Sequence, residues 1–174
     1  MPTHDHDPVK EAEQRWEQRW EQNISIMIRQ LSDSNPIFRS RAAESLGNSK
    51  DLRAVEPLIA LLSDPVPDVV WIALRALGTI KDPRAFDPLV QRLGNPDRWI
   101  RQGATWALGE LGDPRAAPAI APLLSDRKKG VRIAAAEALG KLGDRTYRDV
   151  LESALDDDEL EVRNAVRDAL KKLS

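Results

Sequence analysis

Residues 130–144 read Gly-Val-Arg-Ile-Ala-Ala-Ala-Glu-Ala-Leu-Gly-Lys-Leu-Gly-Asp. Val131, Ala135, Ala138, Leu139 and Leu142 fall at i, i+4, i+7, i+8 and i+11, one face of an α-helix. Gly143 stops that helix and Asp144 suits the cap of the next. Gly140 leads outward from this stretch, because Gly47, Gly78 and Gly109 precede it at steps of 31 residues, and Lys171 takes the following place. Leu46, Leu77, Leu108, Leu139 and Leu170 form a second column. Leu31, Leu62, Leu93, Leu124 and Leu155 form a third, followed by Asp33, Asp64, Asn95, Asp126 and Asp157. Asp51, Asp82, Asp113 and Asp144 make one more. A fixed period of this length marks a repeat architecture.

Each frame reads as two helices. Helix B is the stretch quoted above. Helix A follows it, as in Asp-Pro-Arg-Ala-Phe-Asp-Pro-Leu-Val-Gln-Arg-Leu from Asp82. Asp82 suits the N-cap and Pro83 the first helical position. Pro57 and Pro88 lie further in and should kink the helix or delay its start. The loops Leu-Ser-Asp-Pro and Leu-Gly-Asn-Pro lead to the next helix B. One hairpin of about 31 residues cannot bury its own apolar face, so the hairpins must stack on a shared core. The fold class expected is all-α, a right-handed α-solenoid of five helical-hairpin repeats with a 31-residue period. Its divisions are a disordered tail over 1–7, an N-terminal capping repeat over 8–48, central repeats over 49–79, 80–110 and 111–141, and a C-terminal capping repeat over 142–174. In the last of these, Asp156, Asp157, Asp158, Glu159 and Glu161 precede a helix ending in Lys171 and Lys172, which suits the helix dipole.

Near the N-terminus, Trp16, Trp20, Ile24, Met27, Ile28 and Leu31 form an apolar stripe that predicts a helix over 8–31. Ile24, Met27 and Leu31 match Val55, Leu58 and Leu62 of an ordinary helix A, and the tryptophans lie on an extension beyond that match. One reading is a capping helix over the first repeat. The other is a dimer or partner contact through Trp16 and Trp20.

Hydrophobic residues make up 41% of the chain, enough for a continuous core. The net charge of −2 gives no global pull toward nucleic acid or an anionic membrane, and with no cysteine there is neither a disulfide nor a thiolate site. No apolar run of about 18 residues predicts a membrane span, and no N-terminal leader pattern is present. The expectation is a cytoplasmic protein, a monomer or a dimer through the N-terminal helix.

The stretches Val-Arg-Ile-Ala-Ala-Ala-Glu-Ala-Leu-Gly-Lys-Leu-Gly-Asp and Arg-Ala-Val-Glu-Pro-Leu-Ile-Ala-Leu-Leu-Ser-Asp resemble the HEAT-like repeats named after phycobilisome lyases. The resemblance covers roughly residues 22–174. It implies an α-solenoid and leaves function open, because such repeats serve in bilin lyase subunits, in many uncharacterised bacterial and archaeal proteins, and in designed binding scaffolds. It also implies that Arg39, Arg101, Arg132 and Arg163, a column interrupted by Val70, bond the recurring Asp column between repeats. Bidentate Arg–carboxylate geometry suits that role. Deoxyhypusine hydroxylase, of similar architecture, holds iron with His-Glu pairs on its repeats, and this chain has none there.

Little else in the sequence suggests chemistry. His4, Asp5, His6 and Asp7 could ligate a divalent metal weakly, but a terminal tail does not preorganise a site, so no metal or cofactor is expected. Arg127, Lys128, Lys129 and Arg132 read as a solvated loop and helix start. There is no Gly-rich phosphate loop, no nucleophile elbow and no histidine within the repeats. The expectation is therefore a non-enzyme.

The tryptophans carry the functional signal. With Val131, Ala135, Ala138 and Leu142 on the core side, steps of about 100° per residue place residues 130, 133, 134, 137 and 141 opposite. The same face in the second repeat carries Trp71, Ile72 and Arg75. In the third it carries Trp99, Gln102, Gly103, Trp106 and Glu110, and in the fourth Gly130, Ile133, Glu137 and Lys141. The resemblance implies that helix B lines the concave surface. Trp99 and Trp106 should lie about 10 Å apart along one helix, with Trp71 on a neighbour about 8–10 Å away. Partner-binding residues expected on this face are Trp71, Ile72, Arg75, Trp99, Gln102, Gly103, Trp106, Glu110, Ile133 and Glu137. Gly103 suggests a notch for a partner side chain. The alternative is that Trp99 folds over Gly103 and Gly130 and fills the space. On the first reading, alanine at Trp71, Trp99 and Trp106 abolishes binding with little change in melting temperature. The function expected is a protein-binding scaffold, with a bilin lyase-like or chromoprotein accessory factor as the alternative. Nucleic-acid binding is disfavoured by the charge balance.

Overall fold

The computed structural model describes residues 7–173. The α-helices are α1 (Pro8–Gln30), α2 (Pro36–Ser49), α3 (Val55–Ala60), α4 (Pro67–Ile80), α5 (Phe86–Val90), α6 (Arg98–Leu111), α7 (Ala117–Ile120), α8 (Lys129–Leu142), α9 (Arg148–Glu152) and α10 (Leu160–Lys172). They form an α-solenoid in which even-numbered helices are the B helices. Each B helix packs side by side with the next, α2 on α4, α4 on α6, α6 on α8 and α8 on α10. Asp7, which the sequence reading assigns to the tail, caps α1, its carboxylate accepting from the Val9 and Lys10 amides. Residues 1–6, with His4 and His6, lie outside the described residues.

Helices A are short because their first turn is tight. The carboxylates of Asp51, Asp82, Asp113 and Asp144 each accept the amide two residues on, and each opens a single 3₁₀ turn. The α-helix then starts at Val55 or Phe86, so that Pro57 and Pro88 fall in its first turn, where a missing N–H leaves no gap in the ladder. The start is delayed, as the sequence predicts, although α9 starts just as late without a proline.

The glycine column sets the spacing between B helices. A Cβ on Gly109 would lie 2.8 Å from Ala138 Cβ and 2.9 Å from its Cα. Gly47 meets Ala76, Gly78 meets Ala107 and Gly140 meets Ala169 with the same closeness. Small residues face each other so that backbones can touch, and leucines at 46, 77, 108 and 139 bury beside them. Lys171 ends this column at the last repeat. At the first repeat, Phe38 stands in the column of Val69, Ile100, Val131 and Val162. Those four are buried, whereas Phe38 is exposed.

A ladder of part-buried ion pairs clamps three of the four junctions between B helices. Arg39 donates from Nε and one terminal nitrogen to Asp64 at 2.6 and 2.9 Å. Arg101 does so to Asp126 at 2.8 and 2.9 Å, and Arg132 to Asp157 at 2.7 and 2.9 Å. Each of these arginines also donates to a carbonyl in the loop before its own helix. Arg163 departs from the expected pattern and donates to the carbonyls of Asp157 and Asp158. Burial works against the charge on Asp64 and Asp126. The facing guanidinium and a backbone amide outweigh it, holding both carboxyls below the ordinary carboxylate range. At Asp157 the Arg132 bond is the largest influence and acts in the same direction. One rung is absent. Buried Val70 occupies the arginine place, and the residue facing it across the period is Asn95 rather than Asp. A neutral amide there avoids leaving a carboxylate without its cation.

In α1 the C-terminal half packs on the body of the fold. Ile24 is buried, as is Leu31 just beyond the helix, while Met27 and Ile28 are half-buried against the core. Trp16 is 64% exposed and Trp20 38% exposed, their rings stacked on each other at 5.8 Å. The helix covers the first repeat only from Ile24 onward, and the tryptophan pair stays open to solvent.

Candidate functional site

The B helices bring the predicted residues onto one continuous face. α4 supplies Trp71, Ile72 and Arg75. α6 supplies Trp99, Gln102, Gly103, Trp106 and Glu110. α8 supplies Ile133 and Glu137. The three indoles take different postures. Trp99 is 51% exposed, and its ring meets Trp71 edge-on at 6.4 Å, with the Arg98 guanidinium 4.5 Å above it. Trp71 and Trp106 are half-buried.

Gly103 is not a notch open to a partner. A Cβ there would lie 2.7 Å from Trp71 Cε3 and 3.0 Å from Leu74 Cδ1, so the indole of the preceding repeat already fills the space. Nor does Trp99 fold over it. Gly130 is filled by Gln102, whose Oε1 lies 2.7 Å from the place of a Cβ. Trp106 in turn reaches back to α4, where Cζ3 lies 2.9 Å from the place of a Cβ on Gly78. Trp71 and Trp106 therefore interlock α4 and α6, each ring seated on the other helix's glycine. That is the junction lacking its ion pair. Alanine at either position removes packing as well as surface, contrary to the expectation that all three tryptophans can be cut without loss of stability. Trp99 alone fits that expectation.

Glu110 also differs from a free acceptor. Lys141 of α8 donates to it, and Lys81 lies 3.4 Å away from the other side. Burial pushes its pKa up, and the two ammonium groups overcome this to hold the carboxyl below its usual range. It ties together the C-terminal ends of three B helices, α4, α6 and α8. The Lys141 ammonium meanwhile lies 5.9 Å from the Trp106 ring centre.

Two depressions adjoin at Trp71 and Arg75. One, of about 200 Å³, lies between Trp71, Gln102, Trp106, Ile133 and Ala134, with Arg75 and Glu137 on its rim. The other, of about 210 Å³, adds Glu44, Asn48 and Thr79. These three were missed by sequence reasoning centred on the tryptophans, although they occupy the same columns as Trp106 and Glu110.

A profile of HEAT repeats matches residues 24–109 and again 86–171. The chain belongs to the HEAT-repeat family. Among curated proteins none matches this HEAT-repeat sequence. Among solved structures, it is similar to the complex of CpcE and CpcF of phycocyanin lyase from Nostoc sp. PCC7120, at 28% identity and a TM-score of 0.78, over 87% of this chain. It spans 65% of that lyase chain. The resemblance of the sequence to the HEAT-like repeats of phycobilisome lyases thus extends to the structure. An engineered protein aligns at 21% identity and a TM-score of 0.68, over 86% of this chain and 78% of its own. A designed armadillo repeat protein in complex with the peptide (KR)4 aligns at 18% and 0.63, over 87% and 82%. The last two likenesses concern the fold. No described helix is long and apolar enough to cross a membrane.

Proposed function

We propose that this HEAT-repeat chain is a non-enzymatic scaffold that binds a protein partner on its helix B face. Trp99 carries the reading. A large indole half out of the surface, edge-on to Trp71, beside a groove of half-buried aromatic and aliphatic groups, has the composition of a binding hot spot. Trp71, Ile72, Trp106 and Ile133 form the apolar floor, and Arg75, Gln102 and Glu137 the polar rim. Gly103 contributes by seating Trp71. The test compares capture from native lysate by wild type and by Trp99→Ala. Loss of the same bands from the variant supports the face, and identical bands refute it.

The second reading is a lyase-like accessory factor, favoured by the 28% likeness to the CpcE and CpcF complex. Binding of a free bilin, read as a shift of its visible absorbance on titration with the protein, separates this reading from the first.

A further inference from the structure

Arg75 and Glu137 differ from the charges that hold this fold together. Arg39, Arg53, Arg84, Arg101, Arg115 and Arg132 all grip carboxylates. The side chains of Arg75 and Glu137 are exposed and make neither a hydrogen bond nor an ion pair among the described residues. They share one column with Trp106, so that Arg75 on α4, Trp106 on α6 and Glu137 on α8 form a row across three neighbouring helices. The row runs cation, aromatic, anion. The depression of about 200 Å³ beside Trp106 suits one ring-sized or branched side chain. Neighbouring B helices pack about 8–10 Å apart. A chain in polyproline II conformation rises about 3.1 Å per residue with three residues per turn, returning to the same face every ~9 Å. Its third-residue period therefore matches the helix spacing, and aromatic-lined grooves are the usual hosts of such segments.

We infer that the face binds an extended, polyproline II-like peptide segment. Its central apolar side chain enters the Trp71–Trp106–Ile133 depression. An acidic residue three positions to one side meets Arg75, and a basic residue three positions to the other meets Glu137. This rests on the proposed scaffold function and adds to it the charge order of the partner.

The experiment uses three labelled nonapeptides, each with a central leucine between pairs of prolines. The first carries glutamate and arginine at the two flanking positions, the second two arginines, the third two glutamates. Fluorescence anisotropy with the full chain should rank the mixed peptide about fivefold tighter than either like-charged one. Arg75→Glu should shift the preference to the arginine pair, and Glu137→Lys to the glutamate pair. Both substitutions fall on exposed, unpaired side chains, so melting curves should not move. If no peptide binds, or if the ranking ignores both substitutions, the inference is overturned. Trp99→Ala distinguishes the two levels. If the mixed peptide loses affinity for that variant while the charge changes do nothing, the charge order fails and the scaffold face stands. If lysate capture is unaffected by Trp99→Ala and no peptide binds, both fail.

Discussion

Gly109→Ala puts two opposing effects on the same atom. Alanine favours a helix interior over glycine by about 1 kcal/mol, so propensity alone predicts a more stable protein. The added Cβ would stand 2.8 Å from Ala138 Cβ and 2.9 Å from Ala138 Cα. Ordinary carbon contacts lie at about 3.5–4.0 Å. The obstacle includes backbone, which has no rotamer to swing, so α6 and α8 must part by roughly 0.7 Å. A gap of about 0.5–1 Å forfeits a quarter to a half of each dispersion contact it opens. Overpacking of this kind costs about 1–3 kcal/mol, and a backbone obstacle places it near the upper end. The net is a loss of about 2 kcal/mol, or a fall in Tm of about 4–8 °C for a chain of this size. Gly103→Ala is the comparison. Its closest obstacle is the edge of the Trp71 ring, which can turn toward solvent. That variant should lie within about 1 kcal/mol of wild type and show red-shifted tryptophan emission. Gly94→Ala, with nothing within 4 Å of its Cβ, is the neutral control. Thermal melts and urea titrations of the three decide the matter. A Gly109→Ala protein more stable than wild type refutes the reasoning, because it means that helix spacing does not depend on the glycine column.

Lys50 caps α2 with φ 53°, where the equivalent residues Gly112 and Gly143 have φ 75° and 71°. Lys50→Gly should therefore stabilise by about 1 kcal/mol, read as a rise in the urea midpoint. The depressed carboxyls of Asp64, Asp126 and Asp157 stabilise the fold fully above the unfolded carboxylate value, about pH 4, and lose that contribution as pH falls through their folded values. Tm should hold level in mildly acidic buffer and drop below about pH 4, and a level Tm on further acidification contradicts the ladder. Trp16→Ser with Trp20→Ser should leave Tm within about 1–2 °C, since the rings rest on each other. A larger fall shows that they pack on the first repeat.

Much of this architecture could be read from residue types alone. The period, the Asp caps, the delayed helix A starts and the role of the arginines all express one repeat unit and its immediate neighbour. The posture of the indoles could not be read that way. Trp71 sits on Gly103 and Trp106 on Gly78, pairs whose separations are not the repeat period. A column alignment compares like positions, and this interlock joins unlike ones. Gly103 accordingly signalled a close approach correctly, but the group approaching belongs to the chain itself. The overhang of Trp16 and Trp20 was legible, because the repeat register ends at Ile24, whereas the stacking of the two rings on each other was not.

The missing rung at Val70 and Asn95 gives the α4–α6 junction a different chemistry from its neighbours. Three junctions are bolted by buttressed arginine–aspartate pairs that protonation can release, whereas this one has only the Lys81–Glu110 pair besides two indoles seated on glycines, whose packing acid does not touch. Local opening follows the weakest contacts first. Acidification should therefore fray the stack from its ends inward and leave the two central hairpins docked. The Trp71–Trp106 interlock would then outlast the rest of the solenoid in a core about two repeats wide, while the groove, which needs Ile133 of α8, would open.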